Sequence, residues 1–214
     1  MTRTPGSRLP LGLWFLFLSG ALLTPAETEA QPTRSLGFHL GQIRARQLWD
    51  DPISGQSSNG LAAGVQVDIP TPARFLSVVV GLAYAQRGSI VWDTELDPDR
   101  ELTAVVRSHY LEVPILGKLG AKVGPGGAYL LGGATVDLLL ETQCPQDFCV
   151  LLAEDRPMVL SVTVGGGVSV DVGESARVDL EVRLTEGLSG AYSSGSTGIR
   201  YRSVEFLIRA GVPF

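Results

Sequence analysis

Between about residue 35 and Phe214, runs recur in which apolar side chains fall at every second position. A period of two belongs to strands whose two faces meet different surroundings. In the closing stretch SVEFLIRAGVPF, one face carries Val204, Phe206, Ile208, Ala210, Val212 and Phe214. Ser203, Glu205, Leu207, Arg209, Gly211 and Pro213 alternate with them. Such runs fall at about 35–46, 60–70, 75–92, 103–120, 127–141, 158–172, 176–188 and 202–214. No helical pattern interrupts them, and no apolar run reaches the ~18 residues a spanning helix requires. The expected fold is all-β, with eight antiparallel strands in up-and-down order.

The connectors sharpen this expectation. TPAR, AKVGPGG and GES are short, whereas QLWDDPISGQSSN, DTELDPDREL, TQCPQDFCVLLAEDRP and SGAYSSGSTGIRY are long. Long and short alternate along the chain. Consecutive turns of an up-and-down barrel lie at opposite ends, so all the long loops gather at one end. Outer-membrane barrels have this asymmetry, with short periplasmic turns and longer external loops.

Alternation alone does not say which face points outward. A lipocalin-like barrel buries its apolar face, whereas a membrane barrel exposes it. Side-chain size separates the two. Val162, Val164, Val168 and Val170 oppose Ser161, Thr163, Gly165, Gly167, Ser169 and Asp171; Val178, Leu180, Val182 and Leu184 oppose Asp179, Glu181 and Arg183. An eight-stranded barrel has an interior just wide enough for side chains to fill, which suits the small polar face. The bulky face lacks the placed polar groups of a ligand pocket and suits lipid. Strand edges cannot be left unpaired in hydrocarbon, so the reading is a closed transmembrane β-barrel.

The first thirty residues read differently. Arg3 and Arg8 precede the apolar stretch LGLWFLFLSGALL, and the small-residue exit TPAETEA ends at Ala30. This is the layout of a secretory signal peptide, residues 1–30, ahead of a barrel domain over 31–214. A membrane anchor is the alternative, but the apolar centre is short for one. Cleavage removes two arginines and two glutamates, so the net charge of −5 is unchanged. That balance argues against nucleic acid as a partner. Export also makes a local disulfide between Cys144 and Cys149, in CPQDFC, the expected state, with free thiols the alternative. Zinc is disfavoured, because no other Cys or His is nearby to complete four ligands.

Parity along the strands directs Asp68, Glu112, Lys118, Asp137, Asp179, Glu181, Arg183, Glu205 and Arg209 inward. If paired residues of the last two strands have numbers summing to 388, Arg183 faces Glu205 and Asp179 faces Arg209 together. Opposed opposite charges stabilise a sheet, so these lumen pairs are expected to pin the final hairpin. A structural plug is the favoured reading of the lumen charges, and a gated ion path the alternative. His39 shares the inward face with Gly37 and Gly41 and reads as a packed polar residue. Ser108 and His109 are adjacent, so they point to opposite faces and cannot together supply a nucleophile and base. Trp49 and Trp92, near the long-loop ends, read equally as interfacial anchors or as loop packing. Phe38 and Tyr84 fall on the lipid side. GPGG, residues 124–127, lacks the lysine–serine pattern of a phosphate loop and reads as a turn. WDTELDPDRE does not match an EF-hand and reads as a solvated loop. The polar stretch SGAYSSGSTGIRY reads as a flexible external loop.

With strands and connectors placed, the chain resembles bacterial outer-membrane β-barrel proteins. It is most similar to the small porin-like group that includes OmpA/OmpX-type and PorT-like barrels. HYLEVPILGKLG, residues 109–120, carries the likeness through Tyr110, Leu111, Glu112, Pro114 and Lys118, as does the closing alternation. The resemblance implies residence in the bacterial outer membrane, with its lipids and the barrel assembly machinery as partners. It implies that Phe214 is the assembly signal. No cofactor is expected. A monomer is expected. No cell-wall anchoring is expected, because the peptidoglycan-binding domain of longer OmpA-like chains does not follow Phe214. The function expected is that of an integral barrel with a largely plugged lumen and a structural or loop-mediated interaction role, not an enzyme. A small-solute porin is the alternative. A lipid-modifying barrel enzyme and a soluble lipocalin-like binder stand behind it.

Overall fold

The computed structural model describes residues 34–49, 55–93, 102–143, 154–155, 157–173, 175–188, 192–194 and 197–214. The signal segment 1–30, Cys144, Cys149 and residues 94–101 of the acidic loop lie outside the described residues, as do the side chains of Trp49 and Trp92.

Eight long strands form the barrel: β1 (Ser35–Trp49), β2 (Gly55–Pro70), β3 (Leu76–Asp93), β4 (Leu102–Val123), β5 (Gly126–Gln143), β7 (Met158–Val172), β8 (Ala176–Gly187) and β10 (Thr197–Pro213). Each pairs antiparallel with the next, and β10 returns to β1 from Ser35–Pro213 to Trp49–Ile199. No strand edge of the barrel is left open, as hydrocarbon requires.

The register fixes the dimensions. From Ser35, successive cross-strand partners are Asp68, Val79, Leu116, Gly133, Thr163, Thr185, Ser203 and then Ala45. The circuit returns to β1 ten residues farther along, 45 less 35. A stagger of this size, with a rise of about 3.4 Å per residue and strands about 4.8 Å apart, tilts the strands by about 41° and gives a backbone radius of about 8 Å. Side chains entering from all sides leave little of that radius empty.

Several strands run farther than the alternation indicated. β2 begins at Gly55, and polar residues such as Gln56 and Ser57 pair there with Ile90 and Ser89. Backbone pairing does not depend on an apolar face, so strands continue beyond the membrane belt. The β1–β2 connection thereby shrinks to residues 50–54, and its expected excess length over the 71–75 turn is lost. AKVGPGG contracts likewise to a tight turn at Gly124 and Pro125, made possible by φ +59° at Gly124. The stretch expected to be a flexible loop contains β9 (Tyr192–Ser194) and the start of β10, paired with each other from Thr197–Ser194 to Ile199–Tyr192. A further short strand, β6 (Glu154–Asp155), pairs with β9. Tyr192, Ile199 and Tyr201 give this polar stretch enough strand-forming residues to extend the sheet past the barrel.

The two walls differ as the alternation demands. Outward side chains include Phe38, Leu130, Leu180, Phe206, Ile208 and Phe214, all exposed. Inward ones are buried and are mostly small or polar, with apolar patches at Ile43 and Leu207 and at Val79, Leu116 and Leu131.

Candidate functional site: the barrel lumen

All nine charged residues directed inward by parity are buried, none more than 9% exposed. They fall into two groups along the barrel, one nearer the short turns and one nearer the long loops.

The short-turn group is built from the ends of β2, β4, β8 and β10. Arg209 reaches across the lumen with Nη1 2.9 Å from Asp68 Oδ1 and Nη2 3.1 Å from Asp68 Oδ2. Its Nε lies 2.5 Å from Asp179 Oδ2. The fork therefore serves two carboxylates at once, which a lysine cannot do. Lys118 Nζ donates to Asp68 Oδ2 at 2.9 Å and stands 4.0 Å from the centre of the Tyr129 ring. Tyr129 in turn donates to Glu181 Oε2 at 2.6 Å. Arg183 pairs with Glu181 along its own strand and donates to Gln66 Oε1 at 2.8 Å. Tyr129 lies across Gly167: a Cβ there would sit 2.6 Å from the ring and 2.6 Å from the Leu180 carbonyl oxygen. Glycine is thus the residue that lets an aromatic side chain lie flat against this wall. His39 belongs to the same half and is buried.

The long-loop group centres on Arg87. Its guanidinium pairs with Glu112, with Asp137 at 3.2 Å and with Glu205 at 3.4 Å. Its face lies 4.3 Å from the Tyr201 ring centre and 5.6 Å from that of Tyr110. Tyr201 donates to Asp137, which also accepts from Ser161 Oγ at 2.5 Å. Between the two groups, hydroxyl contacts of 3.0 Å join Thr135 to Thr163 and Thr163 to Thr185.

Glu205 stands opposite Arg183, and Arg209 opposite Asp179, in the β8–β10 register. The contacts divide differently. Arg209 binds Asp179 directly, but Glu205 turns to Arg87 and Arg183 turns to Glu181. Arg87, Tyr129 and Tyr201 were not singled out from the sequence, and Tyr110 was noted there only for the family likeness. Parity was the available signal: Arg87 follows Ala83 and Ala85 on the inward face of β3, and Tyr201 shares the parity of Glu205.

Ser108 and His109 are not brought together. Ser108 is buried in the inner wall, while His109 Nδ1 meets the hydroxyl of Tyr84, an exposed residue of the outer wall. Among the described residues no group of three or more His, Cys, Asp or Glu is arranged to hold a metal ion.

Residues 30–193 match the family described as the outer membrane protein β-barrel domain. No curated protein matches the chain. Among solved structures, neisserial surface protein A is similar at 13% identity, over 84% of this chain and 97% of that one, with a TM-score of 0.52. The attachment invasion locus protein Ail of Yersinia pestis follows at 11% identity, over 86% of this chain and all of its own, with a TM-score of 0.43. The outer membrane protease OmpT of Escherichia coli is 9% identical over 89% and 99%, also at 0.43. Closed strand pairing, an apolar outer wall and this family match lead to one conclusion: the chain belongs to the outer membrane protein β-barrel domain family and resides in the bacterial outer membrane.

Proposed function

We propose that the protein is an integral outer-membrane barrel whose lumen is plugged, and whose role is structural or is carried by its external loops. The observation that carries this reading is the Arg87 cluster. In a barrel of about 8 Å backbone radius, one guanidinium bound to Glu112, Asp137 and Glu205 and stacked on Tyr201 spans much of the interior. The Arg209 and Lys118 network supports the reading with a second barrier below it. Buried charges in mutual contact are held in place, because separating them exposes each to an uncompensated environment.

Conductance across planar bilayers tests the reading. The purified barrel is expected to leave the bilayer insulating in salt at neutral pH. Arg87→Ala together with Tyr201→Ala is expected to admit a small ion current. Steady single-channel currents from the unaltered protein would replace this reading with that of a small-solute channel.

A further inference from the structure

The outer wall carries a second charged feature that the lumen does not explain. On β1, the outward positions pass from Leu36, Phe38 and Leu40 to Gln42, Arg44 and Arg46. On β10, they pass from Ile208, Phe206 and Val204 to Arg202 and Arg200. All four arginines are exposed. The strands are neighbours, with Arg46 directly opposite Arg202, Arg44 opposite Val204, and Arg200 opposite Leu48. Among the described residues one acid answers them: Glu186 on β8, bound to Arg202 through contacts of 2.9–3.2 Å. Arg44, Arg46 and Arg200 have no ion-pair partner among the described residues.

Their height on the barrel is informative. From Val204 to Phe214, ten residue steps along and just past β10, the outward wall is apolar. At a tilt of about 41° that stretch stands about 25 Å tall, the height of the apolar belt of such barrels. The arginines begin immediately past it, on the long-loop side, where headgroups of the outer leaflet lie. Like charges set directly opposite on a sheet are destabilising; Glu186 answers Arg202, which leaves Arg46 opposite it without an anion among the described residues. Guanidinium groups bind phosphate through paired hydrogen bonds.

We propose that Arg44, Arg46, Arg200 and Arg202 form a docking surface for the phosphate groups of an outer-leaflet lipid, whose acyl chains lie along Leu40, Phe206 and Ile208 below. A free phosphate ion gains nothing from that apolar wall, which is why an amphiphile is the favoured occupant. The proposal depends on the membrane location of the barrel and not on whether its lumen conducts, so the two can fail separately.

The test uses the folded protein in zwitterionic detergent, titrated with bisphosphorylated lipid A, with dephosphorylated lipid A and with inorganic phosphate. Bisphosphorylated lipid A is expected to bind and to raise the unfolding midpoint, and the other two are not. At roughly fivefold per surface charge, Arg44→Gln with Arg46→Gln is expected to weaken binding by about twenty-five-fold at low salt. Arg74→Gln, exposed at the opposite end of the barrel, should leave binding unchanged. Equal binding of dephosphorylated lipid A, or equal stabilisation by inorganic phosphate, would overturn the proposal. So would undiminished binding by the double variant, provided it keeps its heat-dependent mobility shift on electrophoresis. Should the variant fail to fold, the comparison of the three ligands on the unaltered protein still decides.

Discussion

The two halves of the lumen solve the same problem differently. Toward the short turns, Lys118, Arg183 and Arg209 meet Asp68, Asp179 and Glu181, three bases against three acids. Toward the long loops, Arg87 alone meets Glu112, Asp137 and Glu205. The first half is neutral as written and resembles an extended salt-bridge lattice. In the second, aromatic and hydroxyl groups share the load: Tyr201 and Ser161 donate to Asp137, and ring faces cover the guanidinium. A buried ion can be held by many counter-ions or by one counter-ion and several dipoles. The second solution concentrates the dependence on a single residue.

That contrast can be broken most strongly at its centre. Arg87→Met strips three buried carboxylates of their base and is expected to destabilise the barrel by about 3–5 kcal/mol, measured by urea unfolding in lipid vesicles. Arg209→Met should cost about 3 kcal/mol, less than Arg87→Met because Lys118 remains on Asp68. A larger loss at Arg209 than at Arg87 would reverse the comparison. Gly167→Ala should cost about 1–3 kcal/mol by forcing Tyr129 off its wall. Reversal at Arg183 should destabilise, and adding Glu205→Arg should restore only part of the loss, because each residue has its own nearer partner. A thermodynamic cycle over the two single variants and the double one measures that coupling; full recovery would mean the cross-strand pair dominates. The smallest effect is expected outside the lumen, where Glu186→Gln removes an exposed pair and should shift stability by about 0.5 kcal/mol.

Much of this arrangement was legible in the chain because a strand has only two faces. Once Asp179, Glu181 and Arg183 were set opposite Val178, Leu180 and Val182, the burial of all three followed. The β8–β10 register was legible too, since Arg183–Glu205 and Asp179–Arg209 align together. What parity could not supply was the reach across the barrel. Arg209 contacts Asp68 from a strand that is not a neighbour of β2, and Arg87 draws Glu205 away from Arg183. Such contacts depend on the stagger and on side-chain length, neither of which is written in any one segment. The loop-end strands were missed for a related reason. Glycine in SGAYSSGSTGIRY lowers local strand preference and masks the strand-forming Tyr192, Ile199 and Tyr201 that extend the sheet there. The arginines of the outer wall stood in plain view at alternate positions of β1 and β10, but only pairing of the first barrel strand with the last brings them together.

The seam that joins those two strands has a consequence for how the molecule comes into being. Ser35 and Pro213 are 178 positions apart, by subtraction, and they face each other across β1 and β10. Every other barrel pairing joins consecutive long strands, so this one alone must bring together distant parts of the chain, at an entropic cost of about 5 kcal/mol. Until it forms, two strands stand with bare amides toward hydrocarbon. The growing sheet therefore has no comfortable halfway point in the bilayer, and insertion becomes a single late commitment.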